Sequence, residues 1–565
     1  MTRPHISRTA ARAEDGFTMI ITVGVMFIAG LLVVAAFTAA NGDIQLSHDD
    51  TIQKQAQYAA LAGVQEYQYK LEREPNFWQT CETPSSVVPE AKFEHYEIKL
   101  LGANGNKTCS PSKPFETMIE SSGGAANTFR IESIGCAGKT EMTVCPEKHS
   151  PSVQVRKVVA AFKATGFLQF VYFTRYEDED PTLYEPKANC ETYFEVKGVK
   201  RSGECQLIQF ITGDSVKGPM HTDDKTVVCG NPEFGRPGRA IPDKVEINGG
   251  LDEACGSKPI FNTATKNYTT GRELVAPASD ESLLSYVEAA NKFSGETQLT
   301  LNGASNTITV INNAGAEKTV SWPENGLIYV EKGSGACNYA FTAHGADGPK
   351  EKSQEANCGN VYVHGTYSKS LTIAAENDLI VDGSTYPTSV AGSLGSEPSG
   401  TATLGLIATR FVRVYHPVGE TYKATKSGKG FTCNGGDNYN SGTGLCEYEN
   451  NKEECDAPNL TAAEDKAAGG YGFGTQENIW IYAAILSTKH SFVVDNYSCG
   501  NELGKLNVYG AIAQNFRGIV GTGGNTGYIK NYNYDERLAA DEPPYFLQPL
   551  NTGWEVNRET ATEGG

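Results

Sequence analysis

The chain lacks most of the signatures that mark enzymes. Its 565 residues hold only 9 histidines, and none stands in an HExxH or similar metal-binding spacing. There is no GxSxG, no phosphate-binding loop, and no GxGxxG followed by an acidic residue. The 14 cysteines form no CxxC pair and no Cys/His cluster with zinc spacing, so no metal or cofactor is expected. Dense Lys/Arg runs are missing, and the net charge is −19 with a pI of about 5.1. Such a surface repels phosphate backbones and disfavours nucleic acid as a partner. Methionine (6) and tryptophan (4) are scarce.

One absence of charge is informative. Phe17 to Ala40 reads FTMIITVGVMFIAGLLVVAAFTAA, without a charged residue. As a helix this run spans roughly 36 Å, enough for a ~30 Å hydrocarbon core. Arg3, Arg8 and Arg12 precede it, and Asp43, Asp49 and Asp50 follow it. That asymmetry predicts a single pass of the cytoplasmic membrane, N-terminus inside and the bulk of the chain outside. The helix is expected to continue to residue 75. Ile44, Ile52, Ala56, Ala60, Val64, Tyr67 and Leu71 follow helical spacing and mark one packing face, and Pro75 is a plausible stop.

The segment EDGFTMIITVGVMFIAGLLVVAAFTAA, with the downstream QAQYAALAGVQEYQYKL, resembles the N-terminus of type IV pilin-like proteins, in particular PilX-type minor pilins. The resemblance implies a basic leader (1–16) and cleavage by prepilin peptidase between Gly16 and Phe17. Where the usual pilin has glutamate at the fifth mature position, this chain has Ile21. The alternatives from the residues alone are an uncleaved signal anchor and a cleaved secretory signal. The resemblance also implies partners: other pilin-like subunits, prepilin peptidase and the inner-membrane assembly platform. The face from Ile44 to Leu71 is where packing against other subunits is expected.

All cysteines follow the membrane segment, and their even number suggests disulfides in an oxidising compartment. Sequence neighbours that could close local loops are Cys136/Cys145, Cys190/Cys205, Cys337/Cys358 and Cys433/Cys446. Connectivity stays open at this point.

Glycine (60), tyrosine (27) and Asn/Gly-rich turns favour a mainly β protein. Residues 76–165 are expected to form a small β-domain beside the helix, with strands at His95–Leu101, Thr128–Ile134 and Val153–Phe162. A long helix against a short antiparallel sheet is the pilin architecture. Residues 166–530 carry many short apolar strands, with insertions at 331–359 and 418–470. A weak echo links VHGTYSKSLTI, IYAAILSTKHSFVV and VYGAIAQNFRGIV, and the step from Ile481 to Val508 is 27 residues. That step suits one coil of an irregular right-handed parallel β-helix, with β-sandwich domains as the alternative. Segments FVYFTRYEDEDP, GPMHTDDKTVVCGNPEF and GYIKNYNYDERLAADEPPYF resemble those of large PilX-related proteins with a C-terminal β-helix. Residues 278–293 read as a helix with Ser279 as N-cap. Residues 531–565 are expected to wrap the last rung.

Candidate chemistry is thin. Glu177–Asp180 could attract Ca²⁺, but a solvated acidic turn is the plainer reading. His221, Asp223 and Asp224 are read as a polar turn. Asp378, Asp382 and Arg410 are candidates for a polysaccharide-active site that nothing in the sequence assembles. Tyr528, Tyr532 and Tyr534 alternate with polar residues as in half-buried strands. The expected function is therefore non-enzymatic: a surface protein in or on a type IV pilus-type filament, in assembly or adhesion. A membrane-tethered β-helix enzyme acting on polysaccharide is the alternative.

Overall fold

A computed structural model describes residues 15–74, 77–84, 93–103, 108–112, 117–119, 128–139, 141, 144–146, 148–150, 152–164, 166–184, 186, 188–191, 201–312, 317–337, 356–418, 425–427, 430–432, 438–440, 445–447, 459–467, 471–522, 526–539, 541–550 and 554–563. The chain is mainly β, with one long N-terminal helix, a small antiparallel sheet and a large curled sheet.

Helix α1 runs from Asp15 to Arg73. Lys70 and Arg73 in its last turn complement the negative end of the helix dipole. Beside it lie β1 (Glu94–Leu101), β2 (Thr128–Gly138) and β3 (Val153–Ala164), paired antiparallel in that order. A fourth strand completes this sheet from the far end of the chain: Trp554–Glu563 pairs antiparallel with β3. The last described residues of the tail therefore belong to the small sheet. Residues 541–550 lie on the flank of the large sheet, where Thr372 donates to the Pro544 carbonyl and Phe546 is buried. The chain then returns to the small sheet, and Lys163 on β3 pairs with Glu542 at 3.1 Å.

Among the described residues the large sheet has 21 strands, most of them in parallel pairs. Ile481 pairs with Val508, so two of the echoed segments are direct neighbours, and Val361–Tyr367 reaches them through the intervening strand Leu379–Pro387. Along one flank the strands stack as Lys292–Ser294, Leu327–Glu331, Leu371–Ala375, Leu404–Ala408, Ala484–Ser487 and the second half of Glu502–Arg517. The next strand is Tyr172–Glu179, followed by Met220–Thr222 and Val245–Ile247. Stacking order thus departs from chain order: a late rung docks on the first one. On the second flank the same junction is made by Gly527–Tyr534 against Ser215–Lys217.

This order explains why residues 278–293 are not an α-helix. They fold as two 3-10 turns, Glu281–Ser285 and Ala289–Asn291. The backbone N–H of Leu274 donates to Asp223, beside the strand Met220–Thr222, whereas Lys292 opens the strand at the other end of the stack. Seven steps of ~4.8 Å separate those levels, roughly 34 Å. Eighteen residues of α-helix would reach only about 27 Å, so a more extended path is required. Leu283 on this path is buried with Leu327, Tyr329 and Ile407.

Inside the stack, each rung buries one face. Val363, Val381, Val414 and Val494 are fully or almost fully buried in a continuous apolar core. Tyr528, Tyr532 and Tyr534 belong to that core and are at most 7% exposed.

Candidate functional site

The feature that sets this molecule apart is α1, whose two halves face different surroundings. Met19–Ala40 is apolar, and all of its residues are exposed. Its length and composition suit a membrane span. Its threonines satisfy themselves within the helix: Thr22 donates to Met19 O at 3.0 Å and Thr38 to Ala35 O at 2.9 Å. No hydroxyl of these two needs water, as a lipid environment demands. Gly16 and Phe17 lie in the first turn of α1, and the side chains of Phe17 and Ile44 are outside the described residues.

The second half buries one stripe. Ile52, Ala56, Ala60, Val64, Tyr67 and Leu71 are each at most 5% exposed. They pack on the chain's own small sheet, so this stripe is not the surface that another subunit would meet. The physical reason is apolar area: β1–β3 offer Tyr96, Ile98, Phe129, Ile131 and Phe162 directly opposite. Helix and sheet approach closely at Gly135, where a Cβ would strike the backbone of Ala56 and Ala60. Tyr67 sits within 5.9 Å of Phe77, Phe129 and Phe162. Trp554 reaches into the same cluster, 4.8 Å from Phe129 and 5.8 Å from Trp78. Burial raises the Tyr67 phenol well above its ordinary range. The opposite face of the helix carries Tyr58 (68% exposed) and Tyr69 (46% exposed).

Disulfides tie the part of the chain that follows α1. Cys136–Cys145, Cys190–Cys205 and Cys337–Cys358 are bonded, as are Cys81–Cys109 and Cys229–Cys255. Cys433 lies outside the described residues, and so does its pairing with Cys446. The Cys337–Cys358 bridge closes the 331–359 insertion, whose middle is outside the described residues.

The acidic run corrects the expectation of a solvated turn. Glu177, Asp178, Glu179 and Asp180 are at most 1% exposed. They reach four separate environments instead of one ion. Glu177 pairs with Arg517 at 2.9 Å, Asp178 with Arg201 at 3.5 Å and Asp180 with His490 at 2.8 Å. Glu179 hydrogen-bonds the Tyr497 phenol. Arg517 also donates to the carbonyls of Ile208 and Gln209 and lies 3.6 Å over the Phe210 ring. Lys530 pairs with Asp214 at 3.1 Å. Glu177–Arg517, Asp180–His490 and Asp214–Lys530 all join an early strand region to a late one. Burial pushes the Asp178 carboxyl up to about 8, against the opposing pull of Arg201.

The HTDD cluster is a polar bend after the strand Met220–Thr222, and it is buried. His221 is clamped between Asp223 (2.9 Å) and Glu246 (2.8 Å), which hold its pKa up against burial. Asp378 pairs with Arg413 at 3.1 Å, and Arg410 lies over Phe411. Asp382 is bonded to His364 at 2.9 Å. The three polysaccharide-site candidates are therefore not brought to one point. Apart from His221–Asp223 and Arg410–Phe411, the partners lie 18 to 340 residues apart, so no local pattern signals them.

No family of known proteins matches the chain, and no curated protein matches it. Among solved structures it is similar to the competence-associated pilin ComZ from Thermus thermophilus, at 10% identity and a TM-score of 0.23. That alignment covers 91% of this chain and 98% of ComZ. A likeness at this level does not define a common fold.

Proposed function

We infer that the chain is a pilin-like surface protein that is incorporated into, or associated with, a type IV pilus-type filament. The observation that carries this reading is the division of α1. One half is apolar and uncovered, and the other is docked on a small antiparallel sheet of the same chain. A helix so divided serves as an anchor before assembly and as a stalk after it. The leader is cut by prepilin peptidase between Gly16 and Phe17, and the freed helix packs with other pilin-like subunits on the inner-membrane platform. Packing uses the apolar half and the Tyr58/Tyr69 side, since the Ile52–Leu71 stripe is already occupied. Before assembly the chain crosses the cytoplasmic membrane once, N-terminus inside. The stacked body is an irregular right-handed parallel β-helix displayed outside, for adhesion or to prime assembly.

The test is the mass of the mature N-terminus in cells that carry the pilus machinery. A chain beginning at Phe17, and a Gly16→Ala variant that keeps its leader, are expected. Wild-type protein that retains residues 1–16 overturns the pilin-like reading and leaves an uncleaved anchor.

A further inference from the structure

We propose that Thr300, His364 and Asp382 form a hydroxyl–imidazole–carboxylate relay that removes acetyl groups from an O-acetylated polysaccharide. This activity goes beyond the filament role and does not depend on it.

The three residues come from three successive parallel strands of the second flank: Thr297–Asn302, Val361–Tyr367 and Leu379–Pro387. Thr300 lies directly opposite His364 in register. Between the second and third strands the register slips: Val363 pairs with Val381, but Gly365 pairs with Thr385. Such irregularities re-aim side chains, and here the slip brings Asp382 against His364. His364 Nδ1 is 2.9 Å from Asp382 Oδ1, and its Nε2 is 3.3 Å from Thr300 Oγ1.

The surroundings divide the roles. Asp382 is buried, and its second carboxylate oxygen has no hydrogen-bond partner among the described residues. It is a positioning residue that holds the imidazole with its proton on Nδ1. Nε2 then accepts from the threonine hydroxyl, the arrangement an activated nucleophile needs. The His364 side chain is 33% exposed and Thr300 is half-buried, so the hydroxyl end faces outward. His221 has no such arrangement, since carboxylates occupy both of its ring nitrogens.

The neighbouring surface indicates the substrate class. The Phe473 ring is 5.7 Å from the His364 ring. Tyr471 and Phe473 are nearly parallel, 3° apart at 6.1 Å, and both are half-buried. Both rings pack on Tyr362 and Tyr415 and keep part of their surface exposed, so an aromatic edge beside the hydroxyl suits the C–H face of a sugar ring.

In the first step Thr300 Oγ1 bonds to the acetyl carbonyl carbon while its proton passes to His364 Nε2. The bond from that carbon to the sugar oxygen breaks, and the sugar oxygen takes the proton from His364. Water then attacks the acetyl-threonine ester and gives its proton to His364. Collapse releases acetic acid and restores the hydroxyl. The sum is ester plus water to alcohol plus acid.

The experiment uses the full chain in detergent micelles, with p-nitrophenyl acetate as the small probe and chemically O-acetylated xylan as the polymer. Acetate release is expected from both. Thr300→Val and His364→Ala should each lower it at least about 100-fold, whereas Thr300→Ser stays within about tenfold of wild type. Asp382→Asn should lower kcat and leave KM unchanged, which a merely structural bond would not do. Acid-quenched probe reactions should carry the acetyl group on the peptide that contains Thr300. Circular dichroism must match wild type for each variant scored. No acetate release by wild type, release by Thr300→Val equal to wild type, or an adduct on another residue would each overturn the proposal. Processing at Gly16–Phe17 is measured separately, so either reading can fail without the other.

Discussion

The helix–sheet module and the stacked body of this molecule are stabilised by opposite means. The helix–sheet module is dry and aromatic: Tyr67, Trp78, Phe129, Phe162 and Trp554 meet in one cluster. The stacked body adds to its apolar core a set of buried ion pairs at the junction where its late strands dock on its first strand. The difference follows from connectivity. In the module a helical stripe faces a sheet, and apolar area alone specifies the fit. At the junction, strands distant in sequence must find one register among many similar ones. Paired charges discriminate there because a slip leaves a charge buried and alone.

The sharpest way to break the comparison is at the junction. Arg517→Ala leaves Glu177 uncompensated and should cost about 3–5 kcal/mol, read as a lower denaturation midpoint. The double variant Arg517→Met/Glu177→Gln should recover most of that loss, because no lone charge remains. In the module, Trp554→Ala should cost about 3–5 kcal/mol through cavity formation. It should also release the C-terminal strand to proteolysis while the body stays intact. No second substitution in the cluster should restore it. If the double variant at Arg517 is as unstable as the single one, the contrast between the parts is wrong.

A gentler probe is pH. Asp178 and Asp280 have carboxyls that burial raises to about 8 and about 7. Between about pH 4 and those values the folded body keeps protons that the unfolded chain has released. Stability therefore falls as pH rises through that window. His221, also raised, acts in the same direction: its contribution is lost as pH climbs through its folded pKa. Thermal melts should show the body less stable at about pH 8 than at about pH 5. The Tyr67 and Tyr96 phenols of the module, both raised, remain neutral throughout that range. Gly135→Ala should weaken helix docking, because its Cβ meets helix backbone that cannot yield. The smallest effect is expected at the exposed Asp50–Lys54 pair, 2.7 Å apart on α1. Lys54→Ala should leave the melting curve unchanged.

Local pattern made part of this legible. The uncharged run, the stripe from Ile52 to Leu71 and strands β1 to β3 can each be read within a short window, because their periodicity is set by near neighbours. The same windows misled at Glu177–Asp180, where polar residues in a row suggest solvent, and at His221–Asp224 they show the turn but not its burial. Their burial depends on Arg517, Arg201, His490 and Glu246, partners no local window contains. Residues 278–293 have helical spacing, yet the distance they must bridge overrides it. His364 and Asp382 carried no motif, because the bond between them arises from a register slip between stacked strands.

By itself the sequence determined where the chain is greasy, where it turns and which helix stripe seeks cover, since these depend on neighbours within a few residues. Only the tertiary structure decided that a late rung sits on the first, that Trp554–Glu563 completes the small sheet, and that the acidic run is internal. Those outcomes rest on contacts between residues hundreds of positions apart, whose pairing is settled by the free energy of burying them together.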